Sequence, residues 1–138
     1  MFKQIVVAAD GSEQSMKAVE KAIELAKGRE TMVYVVYAVD SPTSKLDVLE
    51  SWDSLGVSEK RMKRLLMIEQ RARAEGIHYE VKVIRGEPVA VIVDFAKATG
   101  SDLLIIGSRG LNQLQQLVLG SVSHKVMKKA TCPVLIMK

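Results

Sequence analysis

The sequence predicts a three-layer α/β/α domain, one five-stranded parallel sheet with helices on both faces. Three observations predict it. Short apolar or β-branched runs alternate with segments of helical spacing, in the order β-α-β-α-β-α-β-α-β. That alternation gives a parallel sheet with right-handed crossovers. Most of the strand-like runs are continuously apolar, as strands covered on both faces are. The chain has 138 residues, 48% apolar but only 4% aromatic, which suits a single domain over residues 1–138 with one aliphatic core.

Ile5 to Ala9 is the first such run, and it ends at Asp10-Gly11-Ser12. Gly11 permits a tight turn, and Ser12 is placed to cap a helix. Val19, Ala22, Ile23 and Ala26 recur at helical spacing, Glu13 and Lys17 suit an i,i+4 pair, and Gly28 stops the helix. Met32 to Val39 is β-branched and aromatic, a second buried strand broken by Ser41-Pro42. Asp40 to about Val57 is irregular and polar and is expected to be a long surface loop.

Ser58 to Glu75 has helical spacing. Met62, Leu65, Leu66 and Ile68 are expected inside, and Lys60, Arg61, Lys63, Arg64, Arg71 and Arg73 outside. Gly76 closes it. Tyr79 to Ile84 alternates apolar with polar, which suits a half-exposed strand near a sheet edge. Pro88 in front and Gly100 behind make Val89 to Ala98 a helix, although its valines would also suit a strand. Leu103 to Ile106 is the fourth strand. Val122, Val126, Met127 and Ala130 line the last helix, which Thr131-Cys132-Pro133 ends. Val134 to Met137 is the fifth strand.

Between the fourth strand and the last helix lies Gly107-Ser108-Arg109-Gly110, then nine residues, then Gly120-Ser121. A buried strand that runs into glycines and then into a helix start is a layout for binding phosphate. Glycine lets the backbone approach an oxyanion, and the unpaired N–H groups of a helix start face it at the positive end of the dipole. Ser121 either caps that helix or donates to a phosphate oxygen. In an open parallel sheet, ligands bind outside the carboxyl ends of the strands. Asp10, Val39 with Asp40, Arg85-Gly86 and Gly107 all fall there. Asp10 has two readings of equal weight: an acceptor for ribose hydroxyls or an adenine amine, or an Asx-type turn with Ser12.

Other classes are set aside. Neither G-x-x-x-x-G-K-[ST] nor G-x-G-x-x-G after the first strand is present, which excludes a P-loop and argues against a dinucleotide-binding fold. The net charge of +4 is too small to argue for nucleic acid, and glutamates dilute the basic 60–73 face. No run reaches membrane-spanning length, and the opening apolar run is too short for a secretion signal. The single Cys132 cannot form an internal disulfide and reads as a packing residue in a reducing compartment. A cytoplasmic protein with no membrane partner is expected.

With these residues in view, the chain resembles the ATP-binding members of the universal stress protein family. Gly107-x-x-Gly110, nine residues, Gly120-Ser121 is similar to their signature. Ile5 to Ser12 resembles their first strand and acidic turn, Gly86-Glu87-Pro88 their G-x-P element, and Cys132-Pro133-Val134-Leu135 their ending. The resemblance implies a Rossmann-like fold of the adenine nucleotide alpha hydrolase-like kind and an ATP site. It implies that Ala9 and Asp10 contact the adenosine and that Val39 meets the adenine through its backbone. Ile106, Gly107, Arg109 and Gly110 would line the ribose and phosphates. Gly120, Ser121, Val122 and Ser123 would hold the triphosphate. It also implies a homodimer paired through Val134 to Met137, whose edge would otherwise lie open. The 111–119 spacer departs from expectation in having no basic residue.

Mg²⁺ or Mn²⁺ is expected to arrive with the ATP, held by phosphates and water, since no carboxylate cluster marks a built-in metal site. Hydrolysis needs a group to orient water. His124 reads as a surface residue of the last helix and His78 as structural, so no catalytic residue is assigned. The expected role is a nucleotide-dependent regulatory or stress-response module. A slow ATPase or phosphotransfer enzyme using the same pocket is the alternative. Binding of nucleic acid or an acidic partner by the basic 60–73 face comes third.

Overall fold

The computed structural model describes residues 2–39, 59–108 and 120–138, and among the helical residues the side chains of 59–62 and 65 are not described. The 40–57 loop, with Asp47 and Trp52, therefore lies outside the described residues, as do Arg109, Gly110 and the 111–119 spacer.

Among the described residues five strands, β1 (Gln4–Ala8), β2 (Met32–Val39), β3 (His78–Arg85), β4 (Leu103–Gly107) and β5 (Val134–Met137), alternate with four helices. The helices are α1 (Glu13–Ala26), α2 (Glu59–Ala74), α3 (Pro88–Thr99) and α4 (Ser121–Lys129). All strand pairs are parallel and the sheet order is β3-β2-β1-β4-β5. The chain builds outward from β1 to β3, then returns to the other side of β1, so the order reverses between β1 and β4. The fold is the expected three-layer α/β/α sandwich. Which strands neighbour one another is a result of the fold; the alternation alone did not specify it.

Alternate residues of the central strands feed two cores. Ile5, Val7, Val33, Val35, Tyr37, Leu103 and Ile105 pack with α1 and with Ile68 and Ala72 of α2. Val6, Ala8, Val36, Leu104 and Ile106 pack with Val89, Ile92 and Ala96 of α3 and Val126 of α4. Each fully buried valine, leucine or isoleucine contributes about 1.5–3 kcal/mol, so the paired rows Ile5↔Val33, Ile5↔Leu103 and Val6↔Leu104 fix the register. The alternating strand is indeed an edge. Tyr79, Val81 and Val83 of β3 pack inward, while Glu80 and Lys82 form a 3.0 Å ion pair.

Two local expectations are corrected. Leu66 does not face the core: it is 46% exposed and Met67 68%, while Ile68 and Ala72, four residues apart, make the inward line. On a 3.6-residue period Leu66 stands almost opposite Ile68. The Glu13–Lys17 pair is also replaced. Glu13 reaches Arg64 of α2 at 3.2 Å, and Lys17 Nζ donates to the Lys138 carbonyl. Tertiary partners outcompete an i,i+4 pair worth only a few tenths of a kcal/mol.

Candidate functional site

Because every strand is parallel, all the carboxyl ends share one edge. There β1 delivers Ala9 and Asp10, β2 ends at Val39 beside Arg85 of β3, and β4 delivers Gly107 and Ser108. The reversal of strand order between β1 and β4 lies at this edge, the place where an open α/β sheet leaves a crevice. Nine of the eleven sequence-predicted site residues, all but Arg109 and Gly110, are described, and all nine lie at this edge or at the α4 start beside it.

The β1–α1 turn is closed on itself. Gly11 takes φ +83°, Asp10 Oδ1 accepts from Ser12 N at 2.9 Å, and Ser12 Oγ accepts from Ser15 N at 3.2 Å. The Asx turn is therefore present, with one Asp10 oxygen holding the turn. Ser12 caps α1 as expected. Ala9 N donates to Val36 O, so the chain leaves β1 still tied to β2.

The β3–α3 turn is closed as well. Glu87 stands in the N-cap position with Pro88 behind it, and its two carboxylate oxygens accept from Val89 N at 3.0 Å and Ala90 N at 2.9 Å. Those hydrogen bonds hold its carboxyl below the usual glutamate range. Sequence reading saw Pro88 but missed this cap. The acid immediately before a proline at the first helical position was the available signal.

The β4–α4 junction is different. Ser121 is the first helical residue and Gly120 stands in the cap position, with no side-chain cap. The capping role for Ser121 is thereby corrected: one residue inside the helix, its hydroxyl does not take that place, and it stays exposed. The first intrahelical bond runs from His124 N to Gly120 O, so the N–H groups of Ser121, Val122 and Ser123 precede any helical acceptor. Val122 packs its side chain on the second core.

The two sides of the junction are tied together. Gly120 N donates to Ser108 O at 2.7 Å, and Ser123 Oγ donates to Gly107 O at 2.6 Å. Ser108 N in turn donates to Met137 O of β5 at 2.7 Å. Gly107 is required for packing: a Cβ there would stand 2.7 Å from the Gln14 Cβ of α1. The arrangement offers three backbone donors and one free-standing hydroxyl to an oxyanion, on a base fixed from both faces of the sheet.

Other candidates are placed too. His124 is exposed on α4, and His78 begins β3 at the amino edge, away from the site. Cys132 is half-buried against the second core, and burial pushes its thiol up, which keeps it protonated. Among the described residues no group of three or more His, Cys, Asp or Glu is placed to hold a metal ion. None of the described helices is long and apolar enough to cross a membrane. Two arginines of the basic face of α2 are paired. Arg64 pairs with Glu13 and Glu20, and Arg73 with Glu69.

Comparison with known proteins gives a consistent result. The universal stress protein family model matches residues 1–138. The chain is 35% identical over 141 residues to a universal stress protein of Methanocaldococcus jannaschii, covering all of this chain and 83% of that protein. It is also 35% identical over 148 residues to universal stress protein YxiE of Bacillus subtilis, covering both in full. Among solved structures it is similar to a universal stress protein in complex with cAMP, with TM-score 0.70, 26% identity, and 99% and 97% of the two chains covered. It is equally similar to the universal stress protein of Archaeoglobus fulgidus in complex with dAMP, with TM-score 0.69, 29% identity, and 99% and 98% covered. A family model matched end to end, with relatives this similar over their full or nearly full length, shows that this chain belongs to the universal stress protein family.

Proposed function

We propose that this protein binds ATP at the carboxyl edge of the sheet and acts as a nucleotide-dependent regulatory module of the stress response. The observation that carries the reading is the open start of α4. Of the helix starts at that edge whose capping is described, α1 and α3 are closed by Ser12 and Glu87, and only α4 has no side-chain cap on its first N–H groups. Those groups, at the positive end of the helix dipole, suit phosphate oxygens. The complexes of related proteins with cAMP and dAMP support an adenine nucleotide in particular.

In this reading Ala9, Asp10 and the Val39 backbone receive the adenosine. Ile106, Gly107, Arg109 and Gly110 line the ribose and phosphates, and residues 120–123 hold the phosphate chain. The residues at the α4 start fit such a group: backbone donors plus the Ser121 hydroxyl suit an anion, and Mg²⁺ or Mn²⁺ would be held by phosphates and water. The metal would neutralise the charge that the spacer, with no basic residue of its own, leaves. Binding without rapid turnover is preferred, because exposed His124 lies a turn along α4 and no carboxylate is described at the α4 start to orient water.

The test is mass spectrometry of the nucleotide that co-purifies with the protein, beside Gly110→Val. Bound ATP that disappears in the variant is the expected result. ADP or AMP in its place moves the reading to hydrolysis. A protein that comes out empty and stays empty with added Mg-ATP overturns it.

We also propose a homodimer paired through β5, as a single-domain protein in the cytoplasm. Among the described residues neither terminal strand, β3 nor β5, has a further strand beside it, and only β3 is blunted by charge, with Glu80 and Lys82. β5 carries Val134, Leu135, Ile136 and Met137 alone, all half-buried.

A further inference from the structure

We propose that Ser123 is a positioning residue of the phosphate site, and that its hydroxyl serves the sheet instead of the ligand. This rests on the nucleotide reading above. The Ser123 side chain is 3% exposed, and its Oγ–H donates to the Gly107 carbonyl at 2.6 Å. A hydroxyl has one proton to give, so Ser123 has none left for a phosphate oxygen. Ser121, two residues earlier, has an exposed side chain at the same helix start. Two serines that look equivalent in the sequence therefore have separate tasks.

The Ser123 bond acts together with a second one. Gly120 N holds Ser108 O, and Ser123 Oγ holds Gly107 O, so two points three residues apart at the start of α4, its cap and its first turn, are moored to two consecutive carbonyls where β4 ends. One attachment would fix where the helix begins. Two also fix the direction its N–H groups face. The mooring itself is held still: Ser108 N bonds Met137 O, and Gly107 packs without clearance on Gln14 of α1. A preformed set of donors binds an oxyanion more tightly than one that must be ordered at the moment of binding.

The experiment uses the full chain in three variants, Ser123→Ala, Ser123→Thr and Ser121→Ala, with two readouts. One is amide hydrogen exchange at Gly120 and His124 in the nucleotide-free protein. The other is Mg-ATP affinity by calorimetry. Ser123→Ala is expected to speed exchange at both amides and to weaken ATP binding about five- to tenfold, the effect of one hydrogen bond. Ser123→Thr, which keeps the hydroxyl, is expected to restore both. Ser121→Ala is expected to weaken binding while leaving exchange unchanged.

Weaker binding by Ser123→Ala with unchanged exchange would overturn the proposal, because it would mean that the hydroxyl meets the phosphate directly. Unchanged exchange together with unchanged affinity would overturn it as well. A wild-type protein that binds no ATP defeats the nucleotide reading, whereas faster exchange in Ser123→Ala still upholds the mooring.

Discussion

Gly107, at the end of β4, lies directly against Gln14 in the first turn of α1. A Cβ added to it would stand 2.7 Å from the Gln14 Cβ and 3.3 Å from the Ser15 N. The neighbours include helix backbone, which cannot rotate away. This glycine belongs to the signature that resembles a phosphate-binding motif, yet the requirement for it here is packing between the sheet and α1. Gly107→Ala is therefore expected to destabilise the fold by about 1–3 kcal/mol, the usual cost of forcing a methyl group into a filled interior. Urea unfolding of the nucleotide-free protein checks it. A variant as stable as wild type would show that α1 can shift freely.

The Glu87 cap makes a pH prediction. Its folded carboxyl is held below the ordinary value of 4.5 by the Ala90 and Val89 N–H groups. A carboxyl depressed in the folded state contributes stability above its unfolded value and loses it as pH falls through the folded one. Glu87→Gln is expected to flatten the acid side of the stability profile below the ordinary glutamate range and to leave the slope near neutrality unchanged. Urea midpoints measured across that range in both proteins check it. Parallel profiles would mean that the cap does not depend on charge.

The β5 edge predicts where pairing can be broken. Leu104 N donates to Pro133 O and Ser108 N to Met137 O, so alternate residues of β5 turn towards β4. Val134 and Ile136 therefore aim their N–H groups outward. Ile136→Pro removes an outward donor without touching the β4 ladder. If the proposed homodimer pairs through β5, the variant is expected to run as a monomer in light scattering while the fold, read by circular dichroism, persists. A dimer that survives the substitution would place the interface elsewhere.

Much of this was legible from local sequence. The apolar runs at Ile5, Met32 and Leu103 specified covered strands because a strand buried on both faces has no polar side to show. Pro88 and Gly100 bracketed α3 because one lacks a donor and the other adopts φ +66° at the helix end. Asp10-Gly11-Ser12 marked a chain turn at the sheet edge because Gly11 takes φ +83°, which glycine adopts without strain, and Gly120-Ser121 marked a helix start. What these signals share is range: each depends on atoms within a few residues.

The tertiary structure decided the rest, and for the opposite reason. Whether β4 lies beside β1 or β3 depends on contacts between residues about a hundred positions apart, and so does the reversal of strand order. Arg64 took Glu13 away from Lys17 because α2 docks on α1. Ser121 and Ser123 look alike in sequence. One remained exposed and the other was buried because only Ser123 falls within reach of the Gly107 carbonyl once α4 packs on the sheet. The sequence by itself determined which residues could stand at the edge. Packing at a distance determined which of their polar groups were consumed in holding the fold and which were left open.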